Sequence, residues 1–265
     1  MLENVNLKRK LPRADYENLL PGLQRRLYDL EKACWDNGVS SVIVFEGWEA
    51  AGKGTAIATL TQRLDPRGFK LYAVNPPRTY EQNRPWLWRF WLKAPNRGEM
   101  VLFDQSWYSQ ILDERIEQKC PAKQWRARLR DIVDFERTLA DDGIVFLKIF
   151  LHISKKEQRK RFRELKKDAL ESWRITADAW VKHRKYDEYA ERIEEMLELT
   201  EAEFAPWTIV ESTSKWHSRR KIFDTIIGAL EQRLGAKAPP RLREGAAGKQ
   251  DAELREATER LGGER

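Results

Sequence analysis

Cysteine is nearly absent from this chain of 265 residues: there are two, Cys34 and Cys120. Two thiols without paired spacing provide neither a disulfide framework nor a zinc site. They read as reduced thiols of a cytoplasmic protein. Histidine is scarce as well, and His152, His183 and His217 are too scattered for a metal cluster. No apolar run approaches the roughly 20 residues of a membrane span. The opening stretch MLENVNLKRKLPRADYENLL lacks the apolar centre of a secretory signal. No internal repeat is found. These absences argue against a disulfide scaffold, a histidine-built metal centre and a membrane-embedded protein.

What is present points to a globular protein with an anionic partner. Hydrophobic residues make up 41% of the chain, enough for a full core. The formal charge of +7 suits nucleic acid, an anionic membrane or a phosphate-rich substrate, although plain solubility would also account for it. Short β-branched or aromatic runs predict strands at Val42–Gly47, Phe69–Val74, Met100–Asp104, Val145–Ile153 and Trp207–Glu211. Helical spacing predicts helices from after Pro21 to Asn37, and over 53–64, 84–93, 122–140 and 217–234. Strands alternating with helices imply an α/β protein, a parallel sheet with helices on both faces. The stretch 155–200 is too long and too charged for a plain crossover and predicts a helical lid on a single domain over 1–234. Residues 235–265 have almost no large apolar side chains, and their composition predicts disorder or weak helix.

The segment GWEAAGKGT, Gly47 to Thr55, sits between a predicted buried strand and a predicted helix. That is the context of a phosphate-binding loop, in which backbone amides and a helix N-terminus converge on an anion. Gly47, Ala50, Ala51, Gly52, Lys53, Gly54 and Thr55 are its candidate phosphate-binding residues, with Lys53 supplying a charge. Two features are unusual. The residue after Lys53 is Gly54 where Ser or Thr is common, and the loop carries an acid, Glu49. A second acid, Asp104, ends the third strand in FDQSWY, where a parallel sheet presents its ligand-binding edge. Capping the next helix is a blander role for Asp104. Glu49 and Asp104 together are candidate Mg²⁺ ligands and catalytic residues with Lys53, since Mg²⁺ takes one or two carboxylates and keeps several waters.

From EGWEAAGKGT, LDPRGF, WLWRFWLKAPNRGEMVLFDQSWY, FERTLADDGIVFLKIFLHISKKEQRKRF and APWTIVES, the chain resembles the second polyphosphate kinase family over roughly residues 15 to 230. It looks most similar to the polyphosphate:AMP phosphotransferase branch. The resemblance implies a P-loop kinase-like fold, Mg²⁺, and a lid over a basic polyphosphate channel. It also implies inorganic polyphosphate and a nucleotide, AMP or ADP favoured, as partners, and it allows a homo-oligomer. By the same resemblance Arg67, Lys148 and Lys215 fall on recurrent basic positions, and Glu81 on an acid near the nucleotide. Two residues depart from the family pattern: Glu49 stands where aspartate is usual, and Gln105 where arginine is usual. The segment WYSQIL resembles the degenerate N-terminal half of tandem-domain members.

Residues 155–167 hold eight basic and two acidic side chains, and Arg174, Lys182, Arg184 and Lys185 follow. Any one of these reads equally well as a solvated helix face. As a set beside a phosphate loop they suit a polyanion, with Arg161, Arg174 and Arg184 as candidate phosphate ligands. Trp86, Trp88, Trp91, Trp107, Trp173, Trp180 and Trp207 read mostly as packing residues, and no nucleic-acid-binding motif accompanies them. Three functions stay open: polyphosphate-dependent nucleotide phosphotransferase, ATP-dependent nucleoside monophosphate kinase, and a catalytically weakened polyphosphate-binding protein.

Overall fold

The strands β1 (Ser41–Gly47), β2 (Phe69–Ala73), β3 (Met100–Asp104), β4 (Val145–His152) and β5 (Trp207–Glu211) form one sheet, in a computed structural model that describes residues 1–240. Their order is β2-β3-β1-β4-β5, and every pairing is parallel. β1, β3 and β4 are buried almost throughout, which explains why their sequences are continuous apolar runs. A parallel sheet puts the carboxyl ends of all its strands at one edge. Asp104 there lies in register with Phe45 of β1, two residues before Gly47.

Helices cover both faces. α1 (Arg13–Asn37), α2 (Lys53–Thr61) and α10 (Lys215–Leu234) pack with one another. α5 (Trp107–Ile116), α6 (Ala122–Asp141) and α9 (Tyr186–Leu199) form the other group. Two short turns, α3 (Thr79–Gln82) and α4 (Trp88–Trp91), replace the single helix expected over 84–93. Pro85 between them cannot donate to a helical ladder.

Two other expectations need correction. α1 begins at Arg13, well before Pro21, because buried Tyr16 packs on Trp216 of α10 at 5.2 Å between ring centroids. Pro21 is exposed, so the carbonyl it leaves unpaired can be hydrated. α5 went unpredicted; its N-cap is Ser106, whose hydroxyl accepts from the Tyr108 amide. The charged stretch after β4 is three helices, α7 (Lys155–Lys167), α8 (Ala177–Arg184) and α9, with a 3-10 turn at Ser172–Arg174. Of the predicted tail, Gly235–Lys237 forms another 3-10 turn, and the Pro239 carbonyl accepts from Arg26. Residues 241–265 lie outside the described residues.

One buried acid joins α1 to the turn before β2. Glu31 accepts from the Asp65 amide at 2.8 Å through Oε2, while Oε1 is buried without a partner. Burial pushes this carboxyl from 4.5 up to about 7. The folded protein therefore holds the Glu31 proton more tightly than the unfolded chain does. This favours the fold below the unfolded value and is lost as pH rises through about 7. The urea midpoint is expected to drop between about pH 5 and about pH 8. Glu31→Gln should flatten that drop, and an unaltered slope in the variant would refute the assignment.

Candidate active site

β1 leaves the sheet at Gly47, where φ is +133° and a Cβ would lie 2.4 Å from the Leu151 carbonyl oxygen, so only glycine fits. Ala50 and Gly52 are left-handed, with φ of +60° and +103°. Left-handed residues among right-handed ones curl the backbone into a concavity of amides suited to an anion. The first-turn amides of α2 add to it, having no intrahelical acceptor. Lys53 Nζ donates to the Gly47 carbonyl at 2.9 Å and to that of Trp48 at 3.3 Å, folding the lysine over the loop.

The odd glycine of the motif has a steric meaning. A Cβ on Gly54 would sit 3.4 Å from Arg174 Nη2 and 3.9 Å from Asp104 Oδ2. A longer side chain would enter the space between the loop, the guanidinium and the carboxylate. The hydroxyl of Thr55, one step on, donates to the Gly52 carbonyl and stays with the helix start.

Asp104 is pushed above the ordinary aspartate range by burial, opposed by Lys53, with Glu49 adding to the rise and Arg174 opposing it. Glu49 and Asp104 line the same cavity. Among the described residues no group of three or more His, Cys, Asp or Glu side chains is placed to hold a metal. Two carboxylates still fit Mg²⁺, which takes one or two from a protein beside substrate phosphates, and Glu49 and Asp104 would be the residues to hold it.

The cavity has a volume of about 920 Å³. Besides Lys53 and Arg161, its cations are Lys10, Lys160, Arg174, Lys215 and Arg219. They come from the segment before α1, from α7, from the 3-10 turn and from α10. Glu164 and Asp168 are the remaining acids on its wall. Lys10 and Lys160 had no individual signal in the sequence, because nothing local tells which cations face inward.

Of four cations expected to bind phosphate, three have their donors engaged by protein groups and the fourth lies outside the cavity lining. Arg67 precedes β2, at the amino end of a parallel sheet whose cavity is at the carboxyl end, and it pairs with Asp65 at 2.7 Å. Arg184 is exposed at the end of α8 and lines no part of the cavity. Lys148 is fully buried in β4 and donates to Glu136 at 2.9 Å and to the Thr200 carbonyl at 2.6 Å. Arg161 lines the cavity, yet its donors point to backbone carbonyls and to Glu157. Glu81 lies beyond β2, accepting from the Arg78 amide at 2.8 Å and facing Arg89 at 3.4 Å.

Several supporting residues were missed. Glu46, the last side chain before the loop, is buried and accepts from the hydroxyls of Ser106 and Ser109, at 2.6 and 2.5 Å. It fixes the start of α5 beside Asp104, and burial raises its carboxyl against the pull of Ser106, Ser109 and Lys53. An acid inside the apolar run VIVFEG was the available signal. Trp48 donates to His152 Nδ1 at 2.9 Å and stacks on Tyr186, centroids 3.8 Å apart. Burial pulls His152 down to about 4, which keeps it neutral and able to accept. These partners are distant in sequence and had no local mark.

The fold and the loop define a P-loop, kinase-like α/β protein with its cavity at the carboxyl edge of the sheet. The chain belongs to the polyphosphate kinase 2 (PPK2) family, whose model matches residues 10–238. It is 38% identical over 231 residues to a polyphosphate:AMP phosphotransferase of Pseudomonas aeruginosa, covering 87% of this chain and 47% of that protein. A GDP-polyphosphate phosphotransferase of Mycolicibacterium smegmatis is 35% identical, covering 84% of this chain and 78% of its own length. The crystal structure of polyphosphate kinase 2 from Arthrobacter aurescens TC1 superposes with a TM-score of 0.86 at 26% identity, covering 96% of this chain and 93% of that one. The chain thus spans about half the length of the polyphosphate:AMP phosphotransferases it matches. Among the described residues no helix is long and apolar enough to cross a membrane.

The placement of Lys148 is open to test. Its ammonium completes a buried network in which Tyr108 and Trp107 also donate to Glu136, at 2.7 and 3.1 Å. Lys148→Met would strand Glu136 in the core, at an expected loss of about 3–5 kcal/mol in urea unfolding. Polyphosphate affinity of the folded fraction should stay at the wild-type level. Lost affinity with unchanged stability would return Lys148 to the site.

Proposed function

We propose that the protein is a cytoplasmic, Mg²⁺-assisted phosphotransferase that moves a phosphoryl group from inorganic polyphosphate to a nucleoside mono- or diphosphate, with AMP favoured. The observation that carries this reading is the cavity itself: a phosphate loop and an acid pair faced by cations from separate parts of the chain. One nucleotide tail needs few charges, whereas a polyphosphate chain carries about one per phosphate and rewards a long cationic wall. The relatives named for polyphosphate transfer to AMP and GDP support the donor and leave the acceptor base open.

The proposed chemistry asks mainly for positioning. The bond between the terminal phosphorus and its bridging oxygen breaks, and an acceptor phosphate oxygen bonds to that phosphorus. The loop amides and Lys53 hold the phosphates while Arg174 neutralises charge from the opposite side. Asp104 and Glu49 would hold Mg²⁺, which would supply further charge neutralisation when bound. Glu49 would also orient the attacking oxygen. Helices α7 and α8 would form the lid that excludes water.

A buried arginine with a half-buried lysine near it supports an acceptor on the β2 side. Arg89 is buried with Nε and Nη1 unpaired, although Nε lies 3.4 Å from Glu81. Lys93 stands nearby, its ammonium pulled down by burial and by Arg89. The chain leading there leaves β2 beside the end of β3, the Val74 amide donating to the Asp104 carbonyl at 3.0 Å.

The test is turnover with Mg²⁺, using AMP, ADP or GDP as acceptor and polyphosphate or ATP as donor. Product from polyphosphate, abolished in a folded Lys53→Ala variant, is the expected result. Product from ATP alone would make the protein a monophosphate kinase, and salt-sensitive polyphosphate binding without product would make it a binding protein. A separate expectation concerns Gln105, which lines the cavity with φ of +61°. Gln105→Arg should raise kcat by adding a charge beside the transferring phosphate. A fall or no change would remove Gln105 as a weak point.

A further inference from the structure

A phosphate loop has a constraint that its motif does not show. Amides that turn inward to an anion force the neighbouring carbonyls outward, and outward carbonyls that are buried must find donors. Here three consecutive carbonyls, those of Glu49, Ala50 and Ala51, are all taken by side chains of one helix. Gln158 Nε2 donates to the Glu49 carbonyl at 3.2 Å. Arg161 Nη1 donates to those of Ala50 and Ala51, at 3.0 and 3.1 Å. The other arm of the same guanidinium, Nη2, donates to the carbonyls of Ser212 and Thr213. Its Nε donates to Glu157 at 2.9 Å. All five guanidinium hydrogens therefore have a partner, and none is left for a phosphate.

The residues joined in this way form the two walls of the cavity. Ala50 is the left-handed, non-glycine residue of the loop, a conformation that needs outside support. Ser212 and Thr213 lead from β5 into α10, which carries Lys215 and Arg219. Gln158 is itself fixed, its Oε1 accepting from His183 Nδ1 of α8 at 2.7 Å. The His183 tautomer follows, because an amide oxygen can only accept.

We infer that Arg161, with Gln158, is a positioning residue for phosphoryl transfer: it holds the outward carbonyls of the phosphate loop and locks that loop to the segment entering α10. The start of α7 is then the fixed end of the lid, and lid motion falls to the residues beyond it. This inference rests on the polyphosphate-transfer reading for its assay. The contacts themselves are independent of which phosphate donor is used.

The experiment compares wild type, Arg161→Lys, Arg161→Gln and Lys215→Gln in the full chain with Mg²⁺. It reads kcat and KM, and the salt dependence of tripolyphosphate binding. A lysine can serve a phosphate as a point charge, but it cannot bridge two pairs of carbonyls. Arg161→Lys is therefore expected to lose as much kcat as Arg161→Gln, roughly 100-fold, through misplacement of the loop. The slope of log Kd against log salt should match wild type in both Arg161 variants. Lys215→Gln, which removes a cavity cation, should instead reduce that slope by about 1. Arg161→Lys with near wild-type kcat, or a slope reduced as in Lys215→Gln, would overturn the inference and make Arg161 a phosphate ligand.

If the Arg161 variants do not fold, Gln158→Met frees one carbonyl only. Lowered kcat with an unchanged salt slope is then the supporting result, and wild-type kcat the opposing one. A wild-type protein that accepts ATP alone would end the polyphosphate reading while the same comparison runs on the ATP reaction, so the two failures are distinguishable.

Discussion

The backbone of the loop from Gly47 to Thr55 governs the rest of this site. Its amides can face an anion only if its carbonyls face the protein, and a buried carbonyl without a donor costs roughly 1–3 kcal/mol. Helix α7 answers that demand through Gln158 and Arg161. Placing α7 there brings Phe162 against Ile175 and Ala179, with Ala50 packed on the same small core. The charged helix that reads as a lid is thereby anchored at its first turns. The approach of Arg174 to Gly54 and Asp104 follows from the chain that leaves its far end.

Electrostatics divides the chain's many cations into two populations. Lys148, Arg67 and Arg161 are held by carboxylates or carbonyls, and their charge serves the fold. Lys10, Lys160, Arg174, Lys215 and Arg219 line the cavity. Two of these meet carboxylates of their own segment, Arg174 with Glu171 and Lys160 with Glu164 at 3.9 Å. Against them stand Asp104, lifted by burial, and Glu49. On the proposed reading a bound polyanion would relieve the repulsion among these cations, and its binding would weaken with salt.

The relatives sharpen what varies and what does not. The Arthrobacter structure shares nearly the whole chain's fold, whereas the Pseudomonas relative is about twice as long. Names citing AMP and GDP occur at similar identity. On the proposed reading the donor would sit against the loop and its cationic walls. Acceptor choice is better sought beyond β2, where Asn75 accepts from buried Arg89 and Glu81 faces it.

Much of the fold was legible because it is written locally. Buried parallel strands announce themselves as apolar runs, and GWEAAGKGT carries its own glycines, lysine and flanking elements. Asp104 was legible too, since a strand end in a parallel sheet has one destination. α5 was not, because its start depends on Ser106 and on the buried Glu46 across the sheet. Nor could sequence sort the basic residues. Arg67, Lys148, Arg161 and Lys215 look alike in a list of charges, and a charge has no periodicity that tells a phosphate ligand from a carbonyl clamp. What the sequence determined by itself was the sheet and the loop. Which cations line the cavity was decided only in three dimensions, because the cavity is assembled from elements far apart in the sequence, just as Arg161 meets Ala50 across a separation of 111 positions.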